Sequence, residues 1–469
     1  MIPVLLIMVL LPIAGLLGIV GSRKGAGNIT LGVAVLELLL FIYAVYTLSH
    51  SGPFNESYPF IPKLGINFEF SLNNLNFVFV FLSVIVFTAA SAASEFFTKE
   101  EHVGYYSLFM LAESGVLGMF LSGNLIILYL FWDLSIISLF FMLFHFGGYD
   151  RRYASIKFII YSLLSSSLLL IGIIMTYFYL PVHSFEISQL MSSGYLIQKP
   201  FQTIIFILLL LAFIIKMPAF PLHAWAPDAY SESTPEGAML LAGVLSKFGV
   251  YGLLLLFISM PIAKEYSFYV ATLFAFSSIY ASAVALVQKN LKRMLSYLSI
   301  SEIGIIGFAI TTSNIIGLSG ALFGSLSHAL IISLLFLLTF SIGKVFGTTI
   351  LQRLSGILNG YRVLGYSFLF AMLATLGLPL TTGFITDILT LIGGARSFGL
   401  LILAPALAII INASYLFWIY EKSFLTGESS ELFEALDKNV YIAILLLITL
   451  IIALGVFPSI ILNYIGVAV

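Results

Sequence analysis

Residues 216–252 read KMPAFPLHAWAPDAYSESTPEGAMLLAGVLSKFGVYG and follow directly on an apolar run at 204–215. Pro218, Pro221 and Pro227 remove backbone donors and disfavour helix in the residues that precede them. A helix that begins near residue 200 therefore breaks at Pro218. Two lysines belong to the same stretch, Lys216 at the end of one apolar run and Lys247 inside the next. A lone lysine at the centre of a bilayer helix costs roughly 2.5 to 3.5 kcal/mol. Irregular backbone at membrane depth is tolerated only where it is buried in protein or lines a cavity. A broken helix beside two lysines thus reads as the interior of a helical membrane bundle.

The rest of the chain agrees with this reading. Of 469 residues, 61% are hydrophobic and 9% charged, where soluble domains carry about 25% charged residues. Apolar runs of the length needed to cross a bilayer, about 20 residues, recur with short polar gaps. They are too long and too uniform for barrel strands. The expected fold class is an all-α polytopic membrane protein of about fourteen transmembrane helices. The spans fall near 2–20, 28–48, 74–93, 105–121, 124–146, 154–180, 200–219, 236–260, 266–287, 290–312, 315–343, 363–392, 397–420 and 439–466. Residues 2–20 lack a basic flank and a small-residue cleavage site, so they read as a retained helix.

Composition also excludes functions. With no cysteine, disulfides, thiolate metal sites and iron–sulfur ligation are ruled out, and any redox centre is expected on another chain. A net charge of -1 speaks against a nucleic-acid partner held by excess basic charge. No phosphate loop, zinc-protease or nucleophile-elbow motif appears. No cofactor or metal is expected on this chain, and no covalent chemistry.

Basic residues in the loops sort to one side. Arg23, Lys24, Lys99, Arg151, Arg152 and others share it, and only Lys63, Lys199, Lys264 and Arg396 fall on the opposite side. Cytoplasmic loops are the basic ones, so both termini are expected outside, in a plasma-membrane protein. The sequence GLPLTTGF puts Gly377, Pro379 and Gly383 in the middle of the twelfth span, a second broken helix. Pro218 and Pro379 are 161 positions apart, and so are Tyr105 and Tyr266. Five helices separate each pair, which predicts inverted repeats at 105–260 and 266–420 within a single membrane domain at 1–469. Chance is the competing explanation, since proline is common in membrane helices.

Ionisable residues inside the spans are Glu37, Glu113, Asp133, Lys157, Lys216, Lys247, Glu302, His328 and Asp387. Spread over many helices, they have to pair between helices or meet water, which predicts a hydrated polar axis. Burial disfavours the charged form of lysine and carboxylate alike, whereas pairing restores it. A lysine whose carboxylate partner comes and goes is therefore a switchable proton carrier. The alternative is a set of static ion pairs that fix helix register. Lys157 also fits a snorkelling lysine at the interface, Glu37 a contact with a neighbouring helix or subunit, His223 an interfacial hydrogen bond, and His145 an interface residue.

At these residues the chain resembles the antiporter-like membrane subunits shared by respiratory complex I, Mrp-type cation/proton antiporters and membrane-bound hydrogenases. The likeness spans about residues 70–420. Residues 216–252 carry the most specific motif, and LKRMLSYLSISEIG from Leu291 and SLSHALIISLLF from Ser325 carry two more. Overall similarity leans toward the hydrogenase-like branch. The resemblance implies that Lys216 is the central lysine of the broken seventh helix, Lys247 the relay lysine of the eighth and His328 the histidine of the eleventh. It departs at Asp133, where relatives usually carry Glu, at Asp387, which stands for a Glu or Lys, and at Glu302, which stands for His or Gln. The long lateral helix of one complex I branch is not expected in this chain. It also implies transport of H⁺ or Na⁺ and partnership with antiporter-like paralogues, other membrane subunits and a peripheral redox module. Two other functions stay open: an autonomous transporter of a small solute, and a structural subunit with a vestigial ion path.

Overall fold

The structure, a computed structural model, describes residues 3–22, 25–98, 102–427 and 435–468. Arg23, Lys24 and Lys99 of the basic loops lie outside the described residues. Among those described, thirteen helical stretches are long and apolar enough to cross a bilayer. One of them, Thr382–Leu425, has 44 residues. As a straight helix it would run roughly 66 Å at 1.5 Å per residue, twice the hydrocarbon thickness of about 30 Å. It is divided at Gly399, whose φ of +54° ends the helix Thr382–Phe398. The helix Thr382–Phe398 follows the shorter Arg362–Thr375 across a non-helical turn and completes the twelfth span. The thirteenth span is then Leu403–Ile419, and fourteen crossings result.

Short polar side chains start several spans. Asn124, Asn290 and Asn314 each accept a hydrogen bond from a backbone N–H two or three residues on, at 2.9 to 3.0 Å. Each bond satisfies one of the donors orphaned at a helix start. The sequence reading gave helices only, but residues Phe54–Ile61 (β1) and Ile66–Leu72 (β2) form an antiparallel hairpin between the second and third spans. The Glu56 carboxylate on β1 accepts the Leu5 and Leu6 amides, both at 3.0 Å, and so caps the N-terminus of the first helix, Val4–Ser22.

Burial is uneven across the bundle. The eighth span, Pro235–Ser259, and the eleventh, Ile315–Val345, are almost wholly enclosed, at 94% and 100% of their apolar windows. The second and sixth, Ala26–Ser51 and Arg151–Tyr179, expose large apolar side chains such as Leu39, Ile42, Ile160 and Leu163. The enclosed helices carry Lys247 and His328, so the charged residues sit in the protein interior and the apolar ones face lipid.

Candidate functional site

The first cluster forms where the seventh span stops. Helix Lys199–Lys216 ends at the residue before Met217, and the chain resumes helix only at Ala226. Pro218 and Pro221 lie in the gap. Trp225 folds back and donates its indole N–H to the Ile215 carbonyl at 2.9 Å, taking up an acceptor that the break frees. Its ring then flanks the Lys216 ammonium at 5.8 Å, with Phe158 at 5.2 Å and Trp132 at 5.8 Å. Three ring faces around one cation supply electrostatic attraction without a counter-ion. The polar contact of Lys216 is the Ser162 hydroxyl, at 3.3 Å.

Asp133 lies on the fifth span, Leu125–Phe146, and its Oδ1 accepts a 2.5 Å hydrogen bond from Ser166. Among the described residues no ion pair within 4.0 Å joins Asp133 to Lys216. Ser162 and Ser166 are four residues apart on the sixth span and share one helix face. The two charges are therefore connected through a pair of serines, with a gap between them that an ordered water or a small movement would close. The sequence signal was available in YSLLSSSLLL at 161–170, but hydroxyls in membrane helices serve equally as packing glue.

The second cluster is continuous. Lys247 follows a π-helical turn, Leu241–Leu245, in the eighth span, a distortion frequent at functional sites. Its Nζ donates to the Ala242 carbonyl at 3.1 Å and to His328 Nδ1 at 2.5 Å. With Nδ1 accepting from an ammonium, the imidazole proton belongs on Nε2. That nitrogen faces Ser299 at 3.1 Å and Glu302 Oε2 at 3.6 Å. Glu302 and His328 line a cavity of about 40 Å³ together with Gly383, Thr386 and Asp387. The break in the twelfth span makes room for Asp387: its Oδ2 lies 2.7 Å from where a Cβ on Gly377 would stand, and Gly377 itself has φ +69°. A side chain there would be strained twice over, by backbone and by contact. Pro379 lies in the non-helical turn, and Gly383 opens the second half-helix.

The remaining candidates separate. Lys157 does not simply reach for the interface: it pairs with Asp228 at 2.7 Å, and Asp228 also binds Arg293 of the tenth span at 2.6 Å. This triad ties the Pro-rich segment to both halves of the molecule, and neither Asp228 nor Arg293 was among the sequence candidates. His223 is buried against Tyr280 and Phe220, with its Nδ1 unpaired among the described residues. His145 is exposed beside Phe141, as an interface residue would be. Glu37 and Glu113 are fully buried, close enough for their charges to interact, and have no hydrogen-bond partner among the described residues. Among the described residues no hydrogen bond or ion pair joins them to either lysine cluster. Among the described residues no group of three metal-ligating side chains converges.

Comparison with known proteins follows this geometry. Residues 122–412 match the family described as NADH:quinone oxidoreductase/Mrp antiporter, transmembrane. NADH-quinone oxidoreductase subunit M of Rickettsia bellii is 34% identical, across 98% of this chain and 96% of the relative. NAD(P)H-quinone oxidoreductase chain 4 of Acaryochloris marina is 29% identical, across 93% and 86%. Among solved structures, a chain of respiratory complex I from Thermus thermophilus superposes with a TM-score of 0.91 at 25% identity, covering 98% of this chain and 97% of that one. A chain of the archaeal membrane-bound sulfane sulfur reductase reaches 0.90 at 23% identity, covering 99% and 96%, a likeness of fold.

Proposed function

This chain belongs to the NADH:quinone oxidoreductase/Mrp antiporter transmembrane family, and from that premise we propose that it moves protons or sodium ions across the bilayer along its two lysine clusters. The observation that carries the reading is the run from Lys247 through His328 to Glu302, whose last step spans 3.6 Å, opening into the cavity Glu302 shares with Asp387. An ion-pair scaffold would end in matched pairs. Here a cation contacts an imidazole, the imidazole faces a carboxylate, and two carboxylates line one cavity large enough for water.

In this reading Asp133 modulates the charge on Lys216, Lys247 and His328 relay to Glu302, and Asp387 exchanges with one side of the membrane. The relatives named above are subunits of quinone oxidoreductases, so the driving force is assigned to redox partners on other chains. The partners are antiporter-like paralogues, other membrane subunits and a peripheral redox module. Basic residues such as Arg151 and Arg152 support a cytoplasmic assignment for one face, with both termini assigned outside the plasma membrane.

Two five-helix units, 105–260 and 266–420, are assigned as inverted repeats. Their support is a matched pair of backbone clasps. Leu125 N bonds Phe185 O and Ile187 N bonds Gly123 O, both at 2.8 Å; Leu291 N bonds Thr349 O at 2.9 Å and Leu351 N bonds Lys289 O at 3.0 Å. Each clasp pins the start of one span, the fifth or the tenth, to the connection that follows the next.

Ion uptake by vesicles containing the assembled complex tests the function. Lys216→Ala is expected to leave the subunit inserted and partnered but to abolish uptake. Wild-type uptake by that variant would return the lysine to a structural role.

A further inference from the structure

Glu236 lies in the first turn of the eighth span, fully buried, eleven positions and roughly 16 Å along the helix from Lys247. Its Oε2 accepts a 2.5 Å hydrogen bond from the Tyr105 hydroxyl, which lies 3.4 Å from that of Thr234. Tyr105 and Thr234 also line an open cavity of about 400 Å³ that reaches Gly147 and Gly148 in the connection leading to Arg151. Glu236 is thus one side chain behind the wall of a space on the basic face. Lys292 lines the same cavity, over the Phe340 ring at 3.8 Å, and the positive charge of Lys344 acts on Glu236.

The other carboxyl oxygen, Oε1, has no partner among the described residues. Leaving a buried polar atom unpaired is costly, so such an atom marks a place for a transient partner. Two further buried hydroxyls in the same position are Thr339 of the eleventh span and Tyr230 of the short helix before the eighth. Deeper along the same helices, the Ser333 hydroxyl lies 3.5 Å from the Met239 carbonyl and 2.5 Å from where a Cβ on Gly243 would stand. Past Gly243 the π-helical turn leaves the Ala242 carbonyl accepting from both Ser246 and Lys247. Polar groups therefore line the helix pair from the cavity wall to Lys247.

We propose that Glu236, with Tyr105, is the exchange site through which protons pass between the open cavity on the basic face and Lys247. The step balances without a co-reactant. A protonated water in the cavity gives its proton to the Tyr105 oxygen as Tyr105 passes its own to the Glu236 carboxylate. The Glu236 carboxyl then releases that proton through water to the neutral Lys247 amine.

This rests on the ion-translocating reading above, and the test keeps the two apart. In vesicles containing the whole complex, Lys247→Ala, Glu236→Gln, Glu236→Asp and Tyr105→Phe are compared for proton uptake and for redox turnover with an uncoupler present. Glu236→Gln is expected to slow uptake about tenfold or more with uncoupled turnover retained, Tyr105→Phe to slow it less, and Glu236→Asp to recover part of the loss. Full uptake in Glu236→Gln, with uptake lost in Lys247→Ala, overturns the exchange site alone; full uptake in both overturns the function. Because the chain has no cysteine, Thr234→Cys gives a second measure. A membrane-impermeant thiol reagent is expected to label it from the side of Arg151, and labelling only from the opposite side would contradict the route.

Discussion

The two lysine clusters are built differently. Lys216 sits among three aromatic faces with one serine hydroxyl, Ser162, and the family-type carboxylate Asp133 is hydrogen-bonded to Ser166, one turn further along the same helix. Lys247 touches His328 directly, and that imidazole faces Glu302 across 3.6 Å. A cation held by ring quadrupoles is stabilised without committing to a counter-ion, so its electrostatic state stays sensitive to whether a carboxylate approaches. A cation hydrogen-bonded to an imidazole has a conduit attached. The first cluster has the layout of a switch and the second that of a wire.

The largest effect that separates them is loss of the wire. Lys247→Ala is expected to bring ion uptake to the level of protein-free vesicles while the complex still assembles. Appreciable uptake would contradict conduction through Lys247. Interrupting the conduit one step later, His328→Ala is expected to slow uptake about tenfold to a hundredfold, with His328→Gln less severe because its amide can still accept from Lys247. Equal rates for both variants would remove the imidazole from the relay.

Effects at the switch should be smaller and act through the charge of Lys216. Ser166→Ala removes a hydrogen bond to a charged group, worth about 1.5–3 kcal/mol, of which only a part reaches Lys216, so uptake is expected to change by about tenfold, in the direction that Asp133→Asn changes it. An unaltered rate would show that the serine bridge is packing only. The smallest effect belongs to the cage: Phe158→Leu keeps an apolar side chain but loses one ring face, worth about 0.5–1 kcal/mol, a few-fold change in uptake. A change as large as that of Lys216→Ala would mean that the ring holds the helix break rather than the cation.

Much of the fold was legible because hydrophobic length and proline position act locally. The apolar runs fixed the spans, and Pro218 and Gly377 marked the breaks where the structure has them. The hairpin Phe54–Leu72 is less legible: INFEFSL alternates in the manner of a strand, but NESYPFI does not, and both runs fall far short of bilayer length. The site residues could be named but not connected. Whether Asp133 contacts Lys216 depends on the distance between two helices, and no residue pattern within one helix carries it. Asp228 and Arg293 escaped because both stand near span ends, where a charge looks solvated, and Glu236 escaped because it occupies the first turn of its span.

The central claim is that Asp133 tunes Lys216 by its charge across a gap. Ion uptake by vesicles containing the complex, measured for Asp133→Asn and Asp133→Glu under one driving force, tests it most directly. Coulomb attraction falls only gradually with distance at a given dielectric, so a longer carboxylate should serve as well. The account predicts near wild-type uptake for Asp133→Glu and strongly impaired uptake for Asp133→Asn. Full uptake in Asp133→Asn would contradict it and make the first cluster structural.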